Sequence, residues 1–277
     1  MIIGIIGNGF VGQATYSIVN HKSNKIYIYD IDPLKCIPKN INMCELRDCD
    51  IIFICVPTPM KHSGECYLDI VQDVIQKLKN IVDQNKTSII LRSTVPVGTC
   101  DFLNISFMPE FLTEKNWKND CYHCKNWILG ANNDVVISKI KNLLEISKKK
   151  NCILHSNLLI TYNREAEMIK LFKNTFLATK VSFCNEIYDF CKYHNINYDL
   201  IKNIVITDER INSSHMNVPG HDGKKGYGGT CFPKDISSLQ FEMKKNNIEC
   251  PIIDAVIYRN NHIDRINDEL EIGRSII

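Results

Sequence analysis

The sequence has no excess of charge of one sign. Its 33 lysines and arginines stand against 31 aspartates and glutamates, a formal net charge of +2 over 277 residues. Nothing in that balance argues for a nucleic-acid or anionic-membrane surface, and neither partner is expected. No apolar run approaches the ~18 residues of a membrane span, and the N-terminal "MIIGIIGNGF" has no basic stretch ahead of its apolar residues. A cytoplasmic protein with neither anchor nor leader is therefore expected. The thirteen cysteines are odd in number and lie in a chain that is not small, so a disulfide framework is not expected either. Cys121 and Cys124 of "CYHC" have the spacing of half a zinc site, but no second CxxC or HxxxH follows at a suitable distance, and no metal is expected. What is left is an ordinary globular composition, 44% hydrophobic and 23% charged, long enough for about two domains.

The first 32 residues carry a specific signal. A short apolar strand runs into Gly7, Gly9 and Gly12 of "GNGFVG", a helical stretch follows, and a second alternating strand, "KIYIYD", ends at Asp30. The GxGxxG spacing is weak alone, but between a strand and a helix, with a carboxylate 18 residues after Gly12, it points to a dinucleotide. Gly7 permits the tight turn, Gly9 lets the backbone approach a pyrophosphate at the helix end, and Gly12 allows close packing of helix on strand. Phe10 and Val11 fall within the same cofactor loop. Asp30 suits the ribose hydroxyls and would repel a 2′-phosphate, which favours NAD over NADP, and Lys35 tempers that preference. Further strands are expected at 49–59, 87–96 and 104–111, with amphipathic stretches at 68–83 and 134–148. The alternation predicts a parallel, doubly wound sheet of the α/β class. Thr58, Ser93 and Thr94 fall at strand ends, where such sheets bind ligands.

From about Asn163 to Tyr193 the chain has no glycine or proline and carries apolar residues at helical spacing, so one long helix is expected. Lys170 and Asn174, four residues apart, share a face with nearby Glu167. On composition alone Lys170 reads as a solvated surface residue. Cys231 in "GYGGTCFPKD" reads differently. Pro233 suits a first helical turn, so the thiol is expected at or just before a positive helix end, with Lys234 beside it. Both influences favour the thiolate. The glycines before it would let a ligand approach the backbone. A buried structural cysteine is the alternative reading.

The motifs "GNGFVG", "VPTP", "STVPVGT", "MPEFLTE", "IKLFKNTFLATKVSFCNE", "DERIN" and "VPGHDGKKGYGGTCFPKD", in that order and over nearly the whole chain, resemble the nucleotide-sugar 6-dehydrogenase family. The resemblance implies an N-terminal NAD-binding Rossmann domain over 1–157. It also implies an all-helical central and dimerisation domain over 158–277, with a long central helix and the catalytic cysteine. It implies that Cys231 is the nucleophile, surrounded by Lys170, Asn174 and Asp235, and that Glu110 and Glu114 lie by the sugar and nicotinamide, with Phe111 and Leu112 of the same segment on the substrate side. Thr94 and Lys234 are implied on the cofactor side, and Tyr227, Gly228 and Gly229 at the substrate. Arg210 looks like the arginine that reaches the substrate of a neighbouring subunit in a homodimer. The implied reaction is NAD-dependent, four-electron oxidation of a nucleotide sugar, UDP-glucose foremost, with the aldehyde held on the thiol as a thiohemiacetal and then a thioester. Members of the family continue into another α/β domain that grips the nucleotide, and a chain ending at "INDELEIGRSII" is expected to lack it. Two other readings stand beside this one, a single-step β-hydroxyacid dehydrogenase and a catalytically silent NAD-binding or partner-binding remnant. Cys231 in its setting argues against the first, because a one-hydride reaction needs no covalent aldehyde trap. The intact catalytic set argues against the second.

Overall fold

The computed structural model of the chain describes residues 1–113, 115–266 and 276–277. Its strands are β1 (Ile2–Ile6), β2 (Lys25–Tyr29), β3 (Ile51–Ile54), β4 (Ser88–Leu91), β5 (Ser106–Phe107), β6 (Asn126–Gly130) and β7 (Asn157–Thr161). Its α-helices are α1 (Phe10–Val19), α2 (Asp69–Lys79), α3 (Thr99–Phe102), α4 (Trp117–Tyr122), α5 (Asp134–Lys149), α6 (Asn163–Tyr193), α7 (Tyr198–Val205), α8 (Phe232–Lys245) and α9 (Pro251–Arg259). By internal contacts the chain divides into two units, Met1–Thr58 with Tyr67–Lys170, and Pro59–Cys66 with Leu171–Ile277.

The first unit is a seven-stranded sheet in the order β2-β1-β3-β4-β5-β6-β7. β3 and β4 are buried at every position and β1 at all but its first, so these isoleucine-rich strands occupy the middle, where both faces are covered. β1 pairs in parallel with β2 on one side (Ile3↔Ile26) and with β3 on the other (Ile3↔Ile51). The chain order reverses at that point, and in open parallel sheets this is where ligands bind, beyond the carboxyl ends of the strands. Alternation along the strands feeds two cores. Ile51, Phe53 and Ile90 pack with Ala14 and Ile18 of α1 and Ile140, Leu143 and Leu144 of α5. Ile52, Ile54 and Leu91 pack with Val71, Ile75 and Leu78 of α2 on the other face.

The sheet departs from the expected plan in three places. β5 and β6 pair antiparallel at Phe107↔Gly130, so the sheet is mostly rather than wholly parallel. The strand expected over 104–111 shrinks to Ser106–Phe107, since Pro109 has no N–H for a ladder and Glu110 is buried as the partner of a lysine side chain. β7, which straddles the expected boundary at 157/158, pairs in parallel with β6 from Asn157 to Thr161, and the contact division falls at 170/171, within α6.

α6 runs 31 residues from Asn163 to Tyr193, as its lack of helix breakers predicts. Its first two turns belong to the first unit and grip it through polar groups. Asn163 Nδ2 donates to Asp101 Oδ1 (3.0 Å) and to the Ile105 carbonyl (2.9 Å). The fully buried Glu167 accepts the N–H groups of Gly98 (2.5 Å) and Cys100 (2.8 Å), which open the short helix α3 after the "STVPVGT" turn. Gly130 is required for this approach, because a Cβ there would lie 2.8 Å from Asn163 Cα and 2.9 Å from Ala166 Cβ. In the second unit, the remainder of α6 packs with α7, α8 and α9 around two apolar clusters. One holds Cys184, Cys191, Tyr198, Met216 and Val218, and the other Ala178, Tyr227, Ile236 and Val256. Among the described residues no helix is long and apolar enough to cross a membrane.

Candidate active site

The glycine loop sits at the carboxyl end of β1 with each glycine in a distinct role. Gly7 has φ +91°, and a Cβ on it would lie 2.6 Å from the Cys55 carbonyl oxygen at the end of β3. Gly12 lies against the loop itself, where a Cβ would come 1.9 Å from the Gly7 carbonyl oxygen. Gly9 is the N-cap of α1 and is exposed, and a Cβ there would meet no described atom within 4 Å. The open space lies where the first N–H groups of α1 lack intrahelical partners, the arrangement that receives a phosphate. Phe10 and Val11 form the start of α1, and Val11 packs on the core beneath. Asp30 Oδ2 accepts the Asn8 N–H (2.6 Å) and Oδ1 the Asp32 N–H (2.9 Å), so the carboxylate ties the loop to β2 and keeps lone pairs for further donors. Lys35 is exposed, with its ammonium 3.7 Å from Asp32 and its carbonyl accepting the Asn8 amide (2.7 Å).

Thr58 and Ser93 staple the strand ends. Thr58 Oγ1 donates to the Thr94 carbonyl (2.8 Å) and Ser93 Oγ to the Val56 carbonyl (2.6 Å), so both hydroxyl protons are used within the protein. Thr94, directly after Ser93, is half-buried. Beside Ser93, Arg92 is buried, and its Nε and Nη1 have no hydrogen-bond partner among the described residues. Sequence reasoning missed this residue, although an arginine directly after the apolar run "SIIL" was its signal. Helix-end donors, an acceptor at Asp30, open space over Gly9 and an orphaned guanidinium at the end of β4 together fit an anionic dinucleotide.

Lys170 overturns the expectation of a solvated lysine. It is 2% exposed, and its Nζ donates to the Glu110 carbonyl (2.7 Å) and Glu110 Oε1 (2.9 Å). The other carboxylate oxygen of Glu110 accepts the Leu112 N–H (2.7 Å), and the Phe111 ring centre lies 5.5 Å from the ammonium. Local pattern could not show this, because the partner is 60 residues away in sequence. Removing one member of such a buried pair strands the other charge, typically at a cost of about 3–5 kcal/mol. Glu114 lies outside the described residues.

In the second unit, α8 starts at Phe232 with Cys231 as its N-cap and Pro233 in its first turn. The Cys231 carbonyl accepts the Asp235 N–H (2.9 Å), and the half-buried thiol side chain sits at the positive end of a 14-residue helix. Asp235 is 1% exposed, with Oδ2 taken by Asn174 Nδ2 of α6 (2.6 Å) and Oδ1 by Lys234 Nζ (2.8 Å). Burial works against the Lys234 charge, but the Asp235 carboxylate, with the Cys66 and Cys231 thiols near it, prevails and holds its pKa above the ordinary lysine value. Burial raises the Cys49 thiol to about 12 and those of Cys55 and Cys66 to about 11. Tyr227 is buried, Gly228 half-buried, and Gly229, at φ +75°, has no described atom within 4 Å of a Cβ position. Arg210 is exposed and paired with Asp208, Nη2 to Oδ2 at 2.5 Å. Among the described residues no group of three or more His, Cys, Asp or Glu side chains is disposed to hold a metal ion.

The NAD binding domain of the UDP-glucose/GDP-mannose dehydrogenase family matches residues 39–148, and the central domain of that family matches residues 164–262. A UDP-glucose 6-dehydrogenase of Rickettsia prowazekii is 30% identical over 94% of this chain and 67% of its own length. A UDP-glucose dehydrogenase structure from Pyrobaculum islandicum shares the fold with a TM-score of 0.81 at 22% identity, covering 94% of this chain and 68% of that one. A 3-hydroxyisobutyrate dehydrogenase of Mycobacterium tuberculosis also shares the fold, with a TM-score of 0.73 at 13% identity over 95% of both chains.

The glycine loop separates folding from binding. Gly9→Ala should leave the melting temperature unchanged while weakening NAD binding at least ten-fold by calorimetric titration, because its methyl enters open space beside the helix end. Gly12→Ala should lower stability by about 1–3 kcal/mol or more, because its methyl meets backbone that cannot yield. Equal effects of the two on melting would contradict the assignment.

Proposed function

The chain belongs to the UDP-glucose/GDP-mannose dehydrogenase family, whose cofactor is NAD, and on that premise we propose that it oxidises the primary alcohol of UDP-glucose to a carboxylate in two NAD-dependent steps through Cys231. The observation that carries this reading is the buried Asp235, fixed by Asn174 and Lys234 in the first turn of the helix that Cys231 caps. Bound NAD supplies the hydride acceptor for each oxidation. The chain's own residues do the rest. Gly9 and the start of α1 take the pyrophosphate, Asp30 the adenosine ribose, and Thr58, Thr94, Glu114 and Lys234 the remaining cofactor side. In the first oxidation the alcohol loses a hydride and its hydroxyl proton to become an aldehyde. The Cys231 thiolate adds to the carbonyl carbon, and protonation of the new alkoxide gives a thiohemiacetal. Loss of a second hydride and the hydroxyl proton leaves a thioester. Water then adds to its carbonyl, the C–S bond breaks, and carboxylate, thiolate and two protons are released. Lys170 and Asn174 stabilise the oxyanions, with a donor of this kind typically worth about 3 kcal/mol. Asp235 and Lys170 serve as acid-base and water-orienting groups. By the family resemblance, the sugar is assigned to Glu110, Phe111 and Leu112 of the first unit and to Tyr227, Gly228 and Gly229 of the second.

Two NADH per sugar should form when the chain is incubated with NAD and UDP-glucose, and Cys231→Ser should nearly abolish carboxylate while NAD binding persists. A ratio of one would favour the single-step dehydrogenase reading, which the likeness to 3-hydroxyisobutyrate dehydrogenase supports. No NADH would favour a silent remnant.

The assembly is a homodimer in this reading. Ile169, Phe172, Phe176, Phe183 and Phe190 recur along α6 at a heptad spacing, and its four phenylalanines are each about 60% exposed. A second copy covers this seam, and Arg210 reaches the partner's substrate. Light scattering should give a dimer, and Phe183→Glu a monomer. A monomeric unmodified chain that retains activity would contradict it.

A further inference from the structure

The glycine segment leading to Cys231 is held through its backbone by two asparagines distant in sequence. Within the second unit, Asn185 Oδ1 on α6 accepts the Gly226 N–H (3.2 Å), and Asn260 Oδ1, directly after α9, accepts the Tyr227 N–H (2.9 Å). The two side chains are 1% and 3% exposed. Their own amide donors set which way they face: Asn185 Nδ2 donates to the Val181 carbonyl (2.8 Å) and Asn260 Nδ2 to Asn261 Oδ1 (3.2 Å). Each amide therefore presents oxygen, not nitrogen, to the segment. The approach is close. Gly226 has φ +66°, and a Cβ on it would lie 2.5 Å from Asn260 Oδ1 and 2.9 Å from Asp264 Cβ.

The neighbouring residues are anchored as well. Lys225 pairs with Asp189, which also receives Arg259 Nη2 (2.8 Å), and Asp222 pairs with Arg265. The Tyr227 ring lies in the apolar cluster with Ala178, Ile236 and Val256. At Gly229, two residues before the thiol, a Cβ would find open space.

A glycine-rich segment has the most conformational freedom to lose, and its buried N–H groups cannot go unpaired. A side-chain acceptor at each of two consecutive N–H groups satisfies both demands and fixes the direction in which the chain enters α8. We infer that Asn185 and Asn260 are positioning residues for Cys231. They act through the backbone of Gly226 and Tyr227 and touch no reacting atom. The inference rests on the reading of Cys231 as nucleophile, and its test separates the two.

In the full chain, Asn260→Leu removes the acceptor and Asn260→Asp keeps it. The leucine variant should speed amide exchange at Tyr227 at least ten-fold by NMR, with α8 amides still protected. It should also shift the pH profile of Cys231 alkylation by iodoacetamide and lower kcat about ten-fold, with KM for NAD unchanged. The aspartate variant should restore exchange, alkylation and kcat to within two-fold. Unchanged exchange in the leucine variant, or an aspartate variant as impaired as leucine, would overturn the clamp. Where the leucine variant fails to fold, Asn185→Leu with exchange read at Gly226 decides in the same terms. Faster exchange and altered alkylation with kcat untouched would overturn the nucleophile reading and leave the clamp in place.

Discussion

Asp235 is a carboxylate withdrawn almost wholly from water, and the second unit is organised around the need to satisfy it. A buried charge without partners costs several kcal/mol, so the fold that buries it must bring donors to both oxygens. Asn174 supplies one from the middle of α6 and Lys234 the other from the residue before. α6 and α8 are thereby held in one register. The thiol's place follows, because Cys231 lies one turn ahead of Asp235 and its carbonyl takes the Asp235 N–H. A displaced carboxylate would carry the helix start and the thiol with it.

The same rule explains why α6 inverts the usual pattern of an amphipathic helix. Asn163, Glu167, Lys170, Asn174 and Asn185 are buried, while Phe172, Phe176, Phe183 and Phe190 are exposed. Four of these buried groups meet a defined partner: Glu167 at the N–H groups of Gly98 and Cys100, Lys170 at Glu110, Asn174 at Asp235, and Asn185 at Gly226. Burial raises the pKa of Glu167 despite those N–H donors, which pull it down. A helix whose polar face turns inward and whose phenylalanines turn outward is suited to carry site residues on one side and a partner on the other.

That inversion marks the limit of what the sequence made legible. The dinucleotide loop could be read because Gly7, Gly9, Gly12 and Asp30 obey local geometric rules, and the ends of α6 because nothing within it breaks a helix. The start of α8 followed from Pro233. Lys170 could not be read as buried, since its reason lies at Glu110, and neither could Asn185 or Asn260, whose partners are backbone groups of a distant loop. β6 and β7 escaped notice as short strands, one carrying Asn and Trp and the other, at the sheet edge, largely unburied. The segment 59–66 joins the second unit through contacts such as Gly64 against Ser237, which no local pattern announces.

The central claim is that the sugar is bonded to Cys231 from the aldehyde stage through the second oxidation to hydrolysis of the thioester. Intact-mass spectrometry of acid-quenched Asp235→Asn protein, mixed with UDP-glucose and NAD, tests it most directly. The account predicts one added UDP-sugar acyl group per chain, mapped by peptide digestion to Cys231 and absent from the Cys231→Ser, Asp235→Asn double variant. Carboxylate formed at the unmodified rate with no adduct, or an adduct on another residue, would contradict it.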